Sequence, residues 1–180
     1  QESTEGAWVW EHQALTRARF CAGDAELGKA FETERTRILC RPRDACAVQR
    51  AVVDMRRKIL ESRKNTSGLF DLKRDRGGML DVEFAVQTLV LTQAHRSPQL
   101  TRNLGNLSLL AMSAELGLIP DAIAEGSIRA YRTYRDIQRM TRLNLGENTP
   151  VRVAPEKLRA EKEAVTALWR TVLGTDEPCA

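Results

Sequence analysis

Residues 120–146 read PDAIAEGSIRAYRTYRDIQRMTRLNLG, and this stretch decides the fold class. Ile123, Ser127, Tyr131, Tyr134, Ile137 and Thr141 recur at steps of three and four, which puts them on one side of an α-helix. Pro120 with Asp121 opens that helix, and it runs out near Gly146. Arg132, Arg135, Arg139 and Arg142 form a second row on the same helix, a basic stripe.

The same period extends outward in both directions. Leu104, Leu107, Ala111, Ala114 and Leu118 mark the preceding helix, which Pro120 ends. Leu158, Val165, Leu168, Trp169 and Val172 mark a last helix between Pro155 and Gly174. Val48, Val52, Met55 and Ile59 form the stripe of a helix that opens near Asp44. Trp8–Phe20 and Ala25–Leu39 read as two further helices, parted by Gly23-Asp24. Met79–His95 is dense in apolar residues and is expected at the centre. The alternation in Leu69-Phe70-Asp71-Leu72-Lys73 is the one strand candidate, equally readable as an extended linker. The prediction is an all-α fold, a helical bundle of about seven mostly antiparallel helices. It occupies residues 7–174 as a single domain, with flexible ends at 1–6 and 175–180.

Composition narrows the class. The chain has 180 residues, 42% hydrophobic and 29% charged, which excludes disorder as its main state. No apolar run approaches the roughly 18 residues of a membrane span, and Gln1 to Gly6 lack a signal-peptide pattern. A soluble, cytoplasmic chain with no membrane partner is expected. The net charge of +4 hides an asymmetry: acids dominate residues 1–34, whereas bases dominate residues 50–76. The second region suits an anionic group or an acidic partner, although a plain solvated face has the same pattern. Cys21, Cys40, Cys46 and Cys179 form no CxxC pair, and neither His12 nor His95 stands at ligand spacing from a cysteine. No metal site and reduced thiols are expected.

Two segments carry unusual chemistry. In Phe70-Asp71-Leu72-Lys73-Arg74-Asp75-Arg76-Gly77-Gly78-Met79-Leu80-Asp81-Val82-Glu83-Phe84, a glycine pair stands just before the apolar helix. Such a turn allows close backbone approach, and a helix N-terminus near Lys73, Arg74 and Arg76 suits a phosphate or carboxylate. The same pair also serves simply to start a packed helix. Asp81 and Glu83 lie on different helix faces; the plain reading makes them first-turn acids, with Glu83 one turn from Gln87. In Trp8–Arg19, two tryptophans, His12, Arg17 and Arg19 crowd a few turns; the plain reading is core tryptophans and arginines paired with Glu11. Tyr131 and Tyr134 are read as core residues. No Walker loop, nucleophile elbow or HExxH occurs, and no nucleic-acid-binding signature accompanies the arginine stripe.

These two segments, with Leu100-Thr101-Arg102, Tyr134-Arg135-Asp136 and the final Trp169 helix, resemble the glutamine synthetase adenylyltransferase family, most closely its C-terminal, adenylylating half. The resemblance covers nearly the whole chain. It implies an enzyme that transfers AMP from ATP to a tyrosine of glutamine synthetase, using Mg²⁺, and removes it by phosphorolysis in its other half. Glutamine and a PII-type signalling protein would set the balance. By the same resemblance, this chain is the helical domain after a nucleotidyltransferase core that it does not contain. It would be a regulatory and substrate-docking platform with no catalytic residue, metal or cofactor of its own, inactive alone. Lys73, Gly77, Gly78, Asp81 and Glu83 become nucleotide-cleft or anion-binding candidates, because the glycine turn also resembles one in the related uridylyltransferase. Trp10, Glu11, His12, Arg17 and Arg19 become core-facing candidates, and Arg132, Arg135, Arg139 and Arg142 partner-binding candidates. Glutamine synthetase, the PII-type protein, glutamine and the enzyme's own core are the expected partners. The alternative is an interaction-only helical module that binds nucleic acid or an acidic protein through a basic face.

Overall fold

Aspartate side chains set two of the helix starts. Asp24 accepts from the Leu27 N–H at 2.9 Å and opens α2 (Ala25–Leu39); Asp44 accepts from the Cys46 N–H at 2.9 Å and opens α3 (Ala45–Ser62). In the computed structural model, which describes residues 7–146 and 149–174, five other α-helices join these two: α1 (Val9–Leu15), α4 (Met79–Gln93), α5 (Asn106–Glu115), α6 (Asp121–Leu145) and α7 (Arg159–Leu173). Short 3-10 turns at Pro98–Thr101 and Pro155–Leu158 precede α5 and α7. The architecture is an all-α bundle, and the expected flexible ends lie outside the described residues.

α4 is the central helix, as its composition suggested. It packs against α1, α3, α5, α6 and α7. Val82, Ala85, Val86, Leu89, Val90 and Leu91 are all buried, and Glu83, Phe84 and Gln87 are partly so, which leaves no side of the helix fully open to water along this stretch. α6 lies between α5 and α7, with Ala130 and Tyr134 turned inward. Its far end differs: Met140, Leu143 and Leu145 are exposed, so the last turns of α6 extend beyond the packed core.

The strand candidate is real but minimal. β1 (Phe70–Asp71) pairs antiparallel with β2 (Arg152–Val153), Phe70 opposite Val153 and Asp71 opposite Arg152. β2 was not anticipated, because two residues are too few to show a period. The pair pins the loop before α4 to the segment before α7, helped by a Leu72 N–H to Val151 carbonyl bond of 3.1 Å.

α1 corrects the sequence reading in two ways. It ends at Leu15, not Phe20, because the buried Arg35 guanidinium of α2 caps its last carbonyls. Arg35 Nε donates to the Leu15 carbonyl at 3.1 Å, Nη2 to Thr16 at 2.9 Å and Nη1 to Thr101 at 2.7 Å, joining α1, α2 and the 3-10 turn before α5. Trp8 and Trp10 are each 50% exposed and are not core anchors. Glu11 accepts from the Trp8 N–H at 2.6 Å, closing the first turn, and makes no ion pair with Arg17 or Arg19. Cys21 and Cys40 carry free thiols, whereas Cys46 is disulfide-bonded, so the expectation of reduced thiols fails there; Cys179 lies outside the described residues. No helix among the described residues is long and apolar enough to cross a membrane.

Because α4 is enclosed by its neighbours, a cavity there has little freedom to collapse. Leu91→Ala, at a fully buried position, is expected to cost about 2–5 kcal/mol in urea unfolding. A loss below about 1 kcal/mol would contradict the central placement of α4.

Candidate functional site

The Asp71–Gly78 loop is knitted by its own carboxylates. Asp71 Oδ1 accepts from the Lys73 and Arg74 N–H groups, both at 3.0 Å, and Asp75 Oδ2 accepts from the Asp71 N–H at 2.8 Å and from Asn65 Nδ2 at 2.7 Å. Gly77 has φ +81, and a Cβ there would meet the Lys162 carbonyl of α7 at 3.1 Å. A Cβ on Gly78 would lie 2.6 Å from the Leu72 carbonyl and 2.9 Å from that of Asp75. Each glycine is therefore required by a close backbone approach, and Gly77 by positive φ as well.

The N-terminus of α4 is not open to an external anion, contrary to the sequence expectation. Asp81 Oδ2 accepts from the Gly77 N–H at 2.6 Å; Gly78 donates to Asp75 O, Met79 to Leu72 O and Leu80 to Lys73 O. The first N–H groups are already satisfied inside the turn. Asp81 is buried, and its Oδ1 takes a hydrogen bond from Arg56 Nε at 2.5 Å. Burial pushes its carboxyl above the ordinary carboxylate value, opposed chiefly by the Arg56 guanidinium and then by the Gly77 N–H. Arg56 Nη2 caps the Arg74 and Asp75 carbonyls at 2.7 and 3.2 Å, so one guanidinium joins α3, the loop and α4. Lys73 stands apart, exposed on the outer side of the loop.

Glu83 belongs to a second cluster. Tyr131 Oη donates to Glu83 Oε1 at 3.0 Å and accepts from Asn106 Nδ2 at 2.9 Å, while Arg17 Nη1 donates to Asn106 Oδ1 at 3.3 Å. Gln13 Nε2 donates to Gln87 Oε1 at 3.1 Å alongside. Glu83 thus bonds Tyr131 and not Gln87. The result is a polar seam across α1, α4, α5 and α6, closed at Tyr131 and open at Arg17, which is exposed. Burial, then the Glu83 carboxylate, pushes the Tyr131 phenol up to about 12. Tyr134 donates to the Gly77 carbonyl at 2.9 Å, and burial likewise raises its phenol.

The structure therefore brings Gly77, Gly78 and Asp81 together around Arg56, and Arg17 and Glu83 together through Asn106 and Tyr131. It leaves Trp10, Glu11 and Arg19 on the surface, and His12 half-buried. Arg132, Arg135, Arg139 and Arg142 are all exposed along α6, next to the uncovered Met140 and Leu143. Arg56, Asn106 and Gln13 escaped the sequence reading. Arg56 had a readable signal, since it stands one turn after Val52 on an apolar stripe, where a charge needs a buried partner. Among the described residues, no three or more His, Cys, Asp or Glu side chains could hold a metal ion.

No family model matches the chain. Individual relatives do. It is 51% identical over 173 residues to the bifunctional glutamine synthetase adenylyltransferase/adenylyl-removing enzyme of Burkholderia pseudomallei, an alignment covering 96% of this chain and 18% of that protein. The protein of the same name from Aromatoleum aromaticum is 50% identical over 95% of this chain and 18% of its own length. That of Nitrosomonas europaea is 47% identical over 97% of this chain and 20% of its own length. The chain belongs to the glutamine synthetase adenylyltransferase family and spans about a fifth of the length of these curated relatives.

The chain has only two tyrosines, and both are buried, so their ionisation reports directly on the seam and the glycine turn. An unfolded phenol ionises near pH 10. With folded values raised, the stabilisation is fully present below about pH 10 and is lost as pH rises through the folded values. Tyrosinate absorbance is expected to stay flat through about pH 10 and to rise toward about 12, together with loss of helical circular dichroism. Half the signal already developed near pH 10 would contradict the geometry.

Proposed function

We propose that this chain is a helical regulatory and docking domain of a cytoplasmic, bifunctional glutamine synthetase adenylyltransferase. In this reading the whole enzyme transfers AMP from ATP to a tyrosine of glutamine synthetase, and its other half removes the AMP by phosphorolysis. The observation that carries the proposal is the polar seam. Its two ends come from the two segments that resemble the family: Arg17 from Trp8–Arg19, and Glu83 from Asp71–Phe84, joined through Asn106 and Tyr131. A seam held rigid inside and open at one cation suits a surface that meets a catalytic core and steadies anionic substrate.

Within that assignment, the exposed cations Arg17 and Lys73 would meet polyphosphate, while Asp81 with Gly77 and Gly78 keeps the turn that follows Lys73 in shape. Mg²⁺ supplies charge neutralisation in nucleotidyl transfer generally. The described residues contain no cluster to hold it, so a metal would be carried by other parts of the longer protein. The arginine row of α6, with Met140 and Leu143 beside it, offers a docking face for glutamine synthetase or a PII-type regulator, and glutamine would act as effector through the same domain. The same exposed row supports the second reading, an interaction-only module for nucleic acid or an acidic protein. Binding to DNA or RNA that weakens steeply with salt and depends on Arg135 and Arg139 would favour it.

The deciding experiment uses the full-length enzyme and labelled AMP incorporation into glutamine synthetase. Arg17→Ala is expected to lower kcat/KM for ATP on the order of tenfold, as loss of one charge-assisted contact would. This chain alone is expected to transfer no AMP. Transfer by the chain alone, or an unchanged kcat/KM in the variant, would overturn the assignment.

A further inference from the structure

We propose that the small pocket between α3, α7 and the glycine turn is a binding site for a small oxyanion, with Arg56 as its principal donor. A guanidinium carries five N–H groups in a planar fork. In Arg56, Nε is committed to Asp81 and Nη2 to the Arg74 and Asp75 carbonyls. Nη1 has no hydrogen-bond partner, although the residue is only 3% exposed. A buried donor pair of this kind requires a partner from outside the chain.

The pocket that Arg56 lines has a volume of about 50 Å³, and Val53, Arg57, Arg76, Thr166 and Trp169 line it as well. Gly77 and Asp81 complete the wall, with one Asp81 oxygen bonded to Arg56 and the other to the Gly77 N–H. The lining holds three guanidinium groups, of which Arg56 is paired with Asp81. Thr166 donates its hydroxyl to the Lys162 carbonyl and adds no donor. Arg76 has a partner of its own, so the site stands on Arg56 with Arg57 at its mouth. Arg57 is 60% exposed, pairs among the described residues with the similarly superficial Asp54, and is able to turn inward. An oxyanion accepts from the Nη1 N–H groups in a charge-assisted bond and leaves an oxygen free for an inward-turned Arg57, which a neutral water does less strongly. The pocket shares Thr166 with a wider groove along the outer side of α7, which gives the anion a way in.

The test is a titration of this chain with sodium phosphate at constant ionic strength, balanced with chloride. Nuclear magnetic resonance follows the Arg56 side-chain Nε–H and the Gly77 backbone N–H. Both signals are expected to shift saturably. Arg57→Gln, which leaves the buried pair intact, is expected to weaken binding on the order of tenfold. A parallel titration with acetate separates phosphate from carboxylate chemistry: the anion that saturates at lower concentration names the class. No saturable shift with either anion, an equal response to chloride, or shifts confined to the Arg132–Arg142 row would mean that the pocket holds water only, and would overturn the proposal. None of these readouts depends on adenylyl transfer, so failure here would leave the family-level reading untouched.

Discussion

The buried pair of Arg56 and Asp81 is the interaction on which the rest of the architecture depends. An ionised carboxylate and a guanidinium enter the interior at a heavy desolvation cost, which is offset by their mutual attraction and by the further hydrogen bonds each one makes. Asp81 closes the turn through the Gly77 N–H, and Arg56 holds the loop carbonyls of Arg74 and Asp75. Three separate stretches of chain are thereby given one relative position. The glycine pair is a consequence: with the loop drawn in this tightly, neither position leaves room for a Cβ without displacing a neighbouring backbone. Arg35 plays a similar part at the other end of the bundle, where it gathers carbonyls from α1 and from the turn before α5. Both arginines act chiefly as caps for backbone oxygens, a role that leaves no periodic trace in a sequence.

That difference explains what was legible in advance. The helices Ala25–Leu39 and Asp121–Leu145 were readable almost to the residue, because the amphipathic period agrees with the Asp24 cap in the first and with Pro120 and Gly146 at the two ends of the second. The end of α1 was not, since Thr16 to Arg19 continue a helical pattern locally and are stopped only by a side chain from another helix. The tryptophans misled for a related reason: large apolar residues are usually buried, yet seven residues of helix offer too little face to bury Trp8 and Trp10 together. At the candidate site, the sequence reading grouped Lys73, Gly77, Gly78, Asp81 and Glu83, of which the structure joins Gly77 and Asp81 directly and leaves Lys73 apart. Composition alone did not reveal that Glu83 belongs to a different cluster, because its partner Tyr131 lies 48 residues away in the sequence.

The polar seam and the glycine turn share a design. In each, a tyrosine of α6 reaches across to α4 or its approach loop, Tyr131 to Glu83 and Tyr134 to Gly77. One helix turn of α6 therefore reads both clusters, and the exposed arginine row runs along the adjoining flank of the same helix. Arg132 and Arg135 are thereby joined, through a single helix, to the two polar clusters.

The two-residue clip between Phe70 and Val153 carries a further consequence, one that concerns time. β1 and α4 are made before β2 and α7, so the clip and the packing of α7 against α4 both wait for residues beyond 150. Until then α4 leaves the ribosome with one apolar side uncovered and the glycine turn without Lys162 against it. The nascent chain cannot finish this domain piece by piece and must complete its centre in one late, cooperative step.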